Sequence, residues 1–338
     1  MRESIYDVRF AHLDEIDSIV DFLRKYWSPN HSLVKSRALM DYMYKWHDRY
    51  NWVVGVNKQT KIIDGLWGVI PTYIYDESLR ENGDYWGALL KVNKDVDTPE
   101  VKNLALYLYL FIRDIDDLKT YSTLGIGPKG QAFANASFSH IGIMDHYYIP
   151  NNESDYMIGY NLKNMNYPKG ESKVKEIDLL SINSAPKGVY RPYKTLSFLI
   201  NKYVHHPIYK YLFWGCYKND ELICILVVRN AYAMDSNVIH VVDCLGDLSQ
   251  VGLIGSEIQE LLEEHRSEYA DIMVTGIPDT IIESLGFIKI DVSANNVIVP
   301  DYFEPFEQRN VPNHYGYSDE DMVLFRADAD QDRPSIIL

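Results

Sequence analysis

Cysteine is scarce in this chain. Only three occur, Cys216, Cys224 and Cys244, and each stands in an apolar run typical of a β-strand. They form no disulfide framework of the kind found in small secreted proteins, and their spacing does not match that of zinc ligands. We therefore expect reduced thiols in the core of a cytoplasmic protein, and we expect no bound metal.

The chain also lacks a long apolar run and an excess of positive charge. The longest apolar stretch, residues 104–112, is too short to cross a bilayer. Arg2 and Glu3 are not followed by the apolar region of a signal peptide. The net charge of -15 disfavours binding to nucleic acid or to an anionic membrane. We expect neither as a partner, although one local basic pocket would suffice for a nucleotide-linked substrate.

The composition that remains is suited to folded cores. Apolar residues make up 46% of the 338 positions, a share too high for a disordered chain. A chain of this length suits two domains of ordinary size. We therefore expect two successive patterns of strands and helices.

The most regular pattern lies in residues 237–287. An apolar, β-branched run over residues 238–245 predicts a strand, and a loop with three glycines follows it. Ser256 stands at the N-cap position of a helix over residues 256–264, whose apolar side chains share one face. A second strand over residues 271–277, a short helix closed by Gly286 and a third strand complete the unit.

The N-terminal half predicts the order β-α-α-β-β-β-α-β-α-β. Thr98 and Pro99 mark the start of a helix over residues 99–115, and residues 141–149 form the last strand. Residues 151–171 are polar and rich in Asn, Gly and Pro, as in a linker. A new first strand, a helix over residues 191–203 and a hairpin across residues 218–220 then repeat the order. The sequence thus predicts an α/β protein with mixed sheets and one architecture used twice.

The order of strand, glycine loop, helix, strand, short helix and strand resembles the core of GNAT acyltransferases. In that family the loop before the long helix holds the pyrophosphate of acetyl-CoA on backbone N–H groups, where the helix dipole favours an anion. Residues 250–255 are a degenerate form of the family's Gln/Arg-x-x-Gly-x-Gly pattern. The resemblance implies that Leu245, Gly252, Gly255 and Ser256 bind acetyl-CoA. The alternative is an ordinary strand-to-helix turn.

Further motifs resemble tandem-GNAT proteins associated with surface-polysaccharide synthesis. They lie in the residue ranges 49–54, 63–72, 146–149, 203–211, 302–306 and 328–334. The resemblance implies two GNAT-like domains, at residues 1–150 and 173–338, joined by a linker region at 151–172. It implies an N-acyltransferase that uses acetyl-CoA on a nucleotide-linked amino sugar for O-antigen or capsule. The protein is expected to be a monomer or a homodimer.

One departure from the family pattern concerns the first domain. Its expected phosphate loop, residues 93–99, contains no glycine, and three acidic residues lie nearby. Carboxylates repel pyrophosphate, and missing glycines hinder a close approach of the backbone. We therefore expect acetyl-CoA at the second domain, near Gly252 and Gly255.

Three residues are candidates for the base that removes the proton of the acceptor amine. Asp243 interrupts an apolar strand where GNAT enzymes often place a carboxylate, although it could instead cap a neighbouring loop. His206 and His146 are further candidates, and for each the alternative is a structural histidine with satisfied hydrogen bonds.

Four residues are candidates for binding the acceptor. Tyr148 and Tyr209 lie within the family-like motifs, and Arg191 is a candidate for holding a phosphate. Arg333 could clamp a phosphate or a sugar carboxylate through its planar guanidinium group. The alternative for Arg333 is a salt bridge that fastens the C-terminal tail.

Two other functions remain open. The first is an aminoacyl transferase similar to the Fem family, which also has tandem GNAT domains, but the acidic charge disfavours the tRNA donor. The second is a non-catalytic binding or assembly subunit, which the missing glycines of residues 93–99 favour.

Overall fold

The fold consists of two eight-stranded mixed sheets with helices packed against them. The computed structural model describes residues 5–318 and 321–335. Within these residues the strands are, in chain order, β1 (Tyr6–His12), β2 (Lys45–Trp46), β3 (Arg49–Asn57), β4 (Ile63–Pro71), β5 (Asp84–Val92), β6 (Thr120–Leu124), β7 (His140–Ile143), β8 (Asp145–Pro150), β9 (Lys173–Glu176), β10 (Leu212–Lys218), β11 (Glu221–Ala233), β12 (Ser236–Gly246), β13 (Tyr269–Thr275), β14 (Ile288–Lys289), β15 (His314–Tyr317) and β16 (Leu324–Phe325). The α-helices are α1 (Ile16–Tyr26), α2 (Ser32–Lys35), α3 (Arg37–Tyr44), α4 (Pro99–Lys102), α5 (Leu104–Arg113), α6 (Gln131–Ser137), α7 (Leu196–Leu199), α8 (Gly255–His265) and α9 (Asp279–Ser284).

Each sheet is antiparallel except at one pair of neighbouring strands. The first sheet has the order β1-β3-β4-β5-β6-β15-β7, with β2 paired to β3, and β5 runs parallel to β6. The second has the order β14-β8-β13-β12-β11-β10-β9, with β16 paired to β13, and β12 runs parallel to β13. A parallel pair requires a crossover, which α5 and α8 provide. The predicted α/β class with mixed sheets is confirmed.

The two sheets exchange strands. The single strand predicted over residues 141–149 is two strands: β7 lies in the first sheet, whereas β8 lies in the second between β13 and β14. Conversely, β15 comes from the C-terminal part of the chain and lies between β6 and β7 in the first sheet. The sheets therefore do not divide at residue 150. The reason is burial, because Tyr147, Tyr148 and Ile149 are covered on both faces by the second core.

Local signals place most of the helices and turns. Thr98 accepts a hydrogen bond from the backbone of Val101, and Pro99 is the first helical residue, so the predicted start of this helix is confirmed. Asn219 and Asp220 adopt positive φ angles of 51° and 62° in the turn of the predicted hairpin. The helix predicted over residues 191–203 is shorter, since α7 begins at Leu196 and continues as one π-helical turn.

The described helices are short and mostly amphipathic. None of them is long and apolar enough to span a membrane. On α1, for example, the residues facing the core are Ile16, Ile19, Phe22, Leu23 and Tyr26. All three cysteines are buried and free, as expected for reduced core thiols.

An ion pair between the half-buried Arg191 and the buried Asp84 joins the two halves of the chain. The Arg191 guanidinium donates from Nε to Oδ1 of Asp84 at 2.7 Å, and its Nη2 donates to the carbonyl of Asn82 at 3.0 Å. Asp84 opens β5 and is fully buried, and its carboxylate also accepts from the Thr120 hydroxyl at 2.6 Å. Arg191, a predicted phosphate ligand, is therefore held in a contact between the domains.

Replacing Arg191 with leucine is expected to lower the free energy of unfolding by about 3 kcal/mol, because the Asp84 carboxylate would stay buried without its cation. Urea unfolding measures this loss. Arg80→Leu is the matched control, since Arg80 and its partner Asp117 are partly exposed and 3.5 Å apart. It should cost less than about 1 kcal/mol. Equal losses in the two variants would contradict the role of the pair of Arg191 and Asp84.

Candidate active site

The first sheet opens between two parallel strands. β5 and β6 are paired only from Asp84 to Gly87 and from Thr120 to Thr123, and they separate beyond those residues. On its other side β5 pairs with β4, where the register shifts by one residue between Gly87 and Leu90. Such a bulge leaves one residue of the strand outside the regular ladder. Ala88 and Leu89 are the residues of β5 at this bulge, and both line the opening.

A slot of about 660 Å³ extends from this opening. Its walls are mostly apolar and come from β4, β5, α6 and the loop after β6. The apolar residues with the largest side chains are Trp27, Trp67, Leu89, Leu90, Leu124, Ile126, Phe133 and Phe138. A volume of this size is typical of a pocket that takes a whole organic ligand.

Two lysines, Lys91 and Lys129, line the slot, and Lys94 is close enough to affect Lys91 electrostatically. Lys91 closes the slot side of β5, Lys129 lies in the loop before α6, and Lys94 follows β5. Burial, together with the positive charges of Lys94 and Lys129, lowers the pKa of Lys91. Among the described residues, none of the three has a carboxylate within ion-pair distance. The cluster therefore offers positive charge to an anion that enters the slot.

A second, polar cavity of about 380 Å³ adjoins the slot. The two share Trp27, Gly125, Asp330, Gln331 and Arg333. The remaining walls of the cavity come from three parts of the chain that are distant in sequence. They include Ser28 and His31 after α1, Tyr209 and Arg229 of the second half, and residues 301–304. The arrangement is an apolar slot that leads into a polar chamber.

The C-terminal tail closes the junction between slot and cavity. Asp330 is buried, and its two carboxylate oxygens accept from Arg333 at 3.0 Å and from the Gln331 amide at 3.1 Å. The Gln331 side chain lies directly on Gly125, where an added Cβ would be 2.5 Å from it and where φ is +70°. A side chain at residue 125 would thus displace the tail, which explains the glycine there.

The second sheet has the same opening, but the chain itself fills it. β12 and β13 pair only over Ile239–Val241 and Ala270–Ile272, and the register of β12 shifts near Val242. β16 pairs with the freed end of β13. The backbone N–H of Ala327 then donates to the Val242 carbonyl at 2.9 Å, and the Lys202 ammonium donates to the Ala327 carbonyl at 2.7 Å.

Asp243, the predicted base, lies beneath this inserted tail and faces neither cavity. It is fully buried and accepts from the Lys194 ammonium at 2.5 Å and from the Tyr203 hydroxyl. Lys194 also contacts Asp328 of the tail at 2.9 Å. Burial alone would lower the pKa of Lys194, but the two carboxylates outweigh it and raise that pKa. Asp243 is thus enclosed by Lys194, Tyr203 and the tail, and its assignment as the base stays a prediction.

The predicted pyrophosphate site at α8 is also covered. α8 begins at Gly255, so Ser256 is its second residue and not its N-cap. The ring of Tyr167 lies against Gly255, where a Cβ would be 2.5 Å from the ring, and its hydroxyl donates to the Gly286 carbonyl at 2.7 Å. Leu245 is buried in the core, and Gly252 turns in open space with φ of +71°. Tyr167 of the linker region thus covers Gly255 at the helix N-terminus, and the binding of acetyl-CoA near Gly252 and Gly255 stays a prediction.

The two predicted histidines have structural partners. The Nδ1 atom of His206 accepts from the backbone N–H groups of Tyr209 at 2.9 Å and Ile208 at 3.2 Å, and burial lowers the pKa of the ring to about 4. His146 is buried, and its Nε2 lies 2.6 Å from the Asp271 carboxylate. Neither ring lines the slot or the polar cavity.

The predicted acceptor ligands are divided between the cavity and the core. Tyr209 and Arg333 both line the polar cavity. Tyr148 is buried away from it and accepts from the backbone of Lys163 at 3.0 Å. Arg333 is paired with Asp330 in a salt bridge within the tail, as the alternative interpretation expects, and its role as a clamp for a phosphate or a sugar carboxylate stays a prediction.

Sequence reasoning missed the residues at the junction. Asp330 was visible in the tail motif, but only the fold brings it beside the slot of the first domain. The lysines 91, 94 and 129 stand close to the ends of predicted strands, a position that could have marked them as anion ligands. Within the described chain, no group of three or more His, Cys, Asp or Glu side chains is arranged to hold a metal ion.

Solved structures share this architecture. A GCN5-related N-acetyltransferase from Anabaena variabilis aligns with 92% of this chain and 72% of its own, with a TM-score of 0.52 and 9% identity. A conserved protein of unknown function from Enterococcus faecalis aligns with 92% of this chain and 71% of its own, with a TM-score of 0.51 and 6% identity. The fold is therefore that of two GNAT-like domains in tandem.

The likeness lies in structure and not in sequence. No protein-family model matches the chain, and no curated protein matches it at a significant level. At these identities the comparisons establish the fold alone.

His206 gives a test of its structural role through pH. The pKa of the ring is 6.5 when unfolded and about 4 when folded, so acidification through this range protonates only the unfolded chain and lowers stability. At pH 4 the loss attributable to His206 is about 3 kcal/mol. His206→Asn keeps an acceptor for the Tyr209 N–H group and should reduce the fall in unfolding free energy between pH 7 and 4 by that amount. His205→Asn, at the exposed neighbouring position, is the control and should leave the fall in unfolding free energy between pH 7 and 4 unchanged. If the wild-type protein and both variants show the same dependence of unfolding free energy on pH, this account is contradicted.

Proposed function

We propose that the protein is an N-acyltransferase that binds acyl-CoA in the slot of its first domain. The main support for this proposal is an apolar slot between splayed strands. Lys91 and Lys129 line this slot, and neither has a carboxylate partner among the described residues. The pantetheine arm and acyl group are largely uncharged and suit the apolar walls. The phosphates of CoA are anionic and suit Lys91, Lys94 and Lys129. These lysines replace the glycine-rich loop that residues 93–99 lack.

The bulge in β5 supplies the electrophilic assistance that the reaction needs. A backbone N–H group at Ala88 or Leu89 donates to the thioester carbonyl, where negative charge develops as the amine attacks. The amine nitrogen forms a bond to the carbonyl carbon, the C–S bond breaks, and CoA leaves as a thiolate. The products are an amide and CoA.

Asp330 is the residue that we assign to the amine proton. It lines both the slot and the cavity, so a group that attacks the acyl carbon from the cavity passes close to its carboxylate. One oxygen of Asp330 faces Arg333, and the pair fixes the direction of the carboxylate. A base in this position takes the proton that the nitrogen loses when the amide forms.

An amino sugar is the acceptor that the sequence motifs favour, with acetyl as the acyl group and surface-polysaccharide synthesis in the cytoplasm as the setting. The polar cavity, with its aromatic and charged walls, suits a hydroxylated amine. The Fem-like alternative requires aminoacyl-tRNA, and the net charge of -15 disfavours that donor. A non-catalytic role is favoured for the second domain, because its opening is filled.

Replacing Lys91 and Lys129 together with methionine should weaken acetyl-CoA binding at least tenfold, since two charges that face the phosphates are lost. Isothermal titration calorimetry measures the dissociation constant. Lys169→Met is the matched control, because Lys169 is exposed and lies beside α8, at the position predicted from sequence. Weaker binding in the control, with normal binding in the double variant, would place CoA at the second domain and contradict the proposal.

Asp330→Asn should lower kcat by about a hundredfold, the usual contribution of a positioned base. The amide keeps the contact with Gln331, and acetyl-CoA affinity should stay unchanged because Asp330 is bound to Gln331 and Arg333 and not to the lysines. Higher pH should partly restore the rate, since more of the acceptor is then neutral in solution. The measurements are steady-state turnover as a function of pH and thermal unfolding, each for the wild-type protein and for the Asp330→Asn variant. A folded variant with normal kcat would remove Asp330 from the mechanism.

A further inference from the structure

The polar cavity contains three guanidinium groups, and each is already held by carboxylates. Arg229 donates to Asp332 at 2.7 Å through Nη2 and at 3.1 Å through Nε. Arg326 contacts Asp271 at 2.6 Å and also pairs with Asp301. Arg333 is held by Asp330. No lysine is among the residues that line this cavity, and the Lys91 ammonium of the slot lies 5.2 Å from the centroid of the Trp27 ring that the slot and the cavity share.

Glu304 is the exception among the acids of the cavity. Asp301, Asp330 and Asp332 each face an arginine, whereas Glu304 contacts only the Tyr209 hydroxyl, at 3.0 Å, among the described residues. The Tyr209 ring in turn lies over Arg229, 4.2 Å from its guanidinium carbon, which fixes the hydroxyl. The carboxylate of Glu304 is therefore a negative charge that is held in place and lacks a cation.

Aromatic rings stand beside this carboxylate. Tyr302 and Phe303 precede it in the chain and line the cavity, and Trp27 lines the opposite wall with 46% of its surface exposed. Electron-rich ring faces attract an ammonium group and do not attract a phosphate. Carboxylate and rings together favour a positively charged amine that carries no anionic group of its own in the cavity.

We infer that the acceptor enters the cavity as an unphosphorylated ammonium compound, with Glu304 as its counter-ion and specificity determinant. The ammonium gives up one proton to water before its nitrogen attacks, and the second proton, lost as the amide forms, goes to Asp330. This inference rests on the proposed acyl transfer, because it names the acceptor of that reaction. It departs from the nucleotide-linked acceptor that the sequence motifs favour. A sugar diphosphate inside the cavity would have to break one of the three arginine pairs or lie against Glu304.

Binding of amines to the full chain tests the inference without any turnover. The probes are glucosamine and galactosamine, each as the free sugar and in its UDP-linked form, titrated by calorimetry in the presence of CoA. The free sugar of at least one pair is expected to bind at least tenfold more tightly than its UDP-linked form. Tighter binding of the UDP-linked forms, or no binding of either free sugar, would overturn the inference.

The Glu304→Gln variant tests the counter-ion directly. It should weaken binding of the free amino sugar at least tenfold and leave the affinity for acetyl-CoA unchanged. Glu307→Gln is the matched control, because Glu307 lies three residues further on, pairs with Arg309 and does not line the cavity. Equal amine affinity in the Glu304 variant and the control would overturn the inference. Failure of wild-type protein to bind acetyl-CoA would instead refute the proposed function, so the two outcomes are separable.

Discussion

The arrangement of this protein depends on the ammonium group of Lys194, which lies between Asp243 of β12 and Asp328 of the tail. Both carboxylates are fully buried, so neither tolerates the loss of its cation. The contact fixes residues 324–328 in the opening of the second sheet. Because Asp330 and Arg333 follow immediately, the same contact determines where the tail meets the slot of the first domain. A cluster in one domain thus sets the geometry of a site in the other.

The two domains share a fold and differ in what occupies the opening between their parallel strands. In the first, a bulge and an apolar slot remain accessible, and lysines stand where a glycine loop would be expected. In the second, the tail provides an extended backbone that bonds to the bulge carbonyl of Val242, and Tyr167 covers the start of α8. The second domain therefore binds the tail in its own opening. Because β8 pairs in the second sheet and β15 pairs in the first, the two domains are also linked by strand exchange.

Sequence patterns predicted the structural features that depend on neighbouring residues. They missed the features that depend on contacts between residues distant in the sequence. The cap at Thr98, the turn at Asn219 and the succession of strands and helices follow from local chemistry, and they sufficed to indicate two GNAT-like domains. The surroundings of Asp243 could not be predicted because they come from residues 49 and 85 positions away. The glycine pattern near α8 likewise does not reveal that the ring of Tyr167 lies over Gly255. Asp330 stood in the most distinctive motif, but its cavity exists only after both sheets form.

The central claim is that acyl-CoA binds between β5 and β6 and that the second opening stays closed. A crystal structure of the full chain with a non-hydrolysable acetyl-CoA analogue tests it most directly. The account predicts one ligand per chain, with the thioether-bearing arm between Leu89 and Leu124, the phosphates near Lys91, Lys94 and Lys129, and residues 324–330 still in the second sheet. A ligand between β12 and β13, with its pyrophosphate at Gly255 and the tail displaced, would contradict the account.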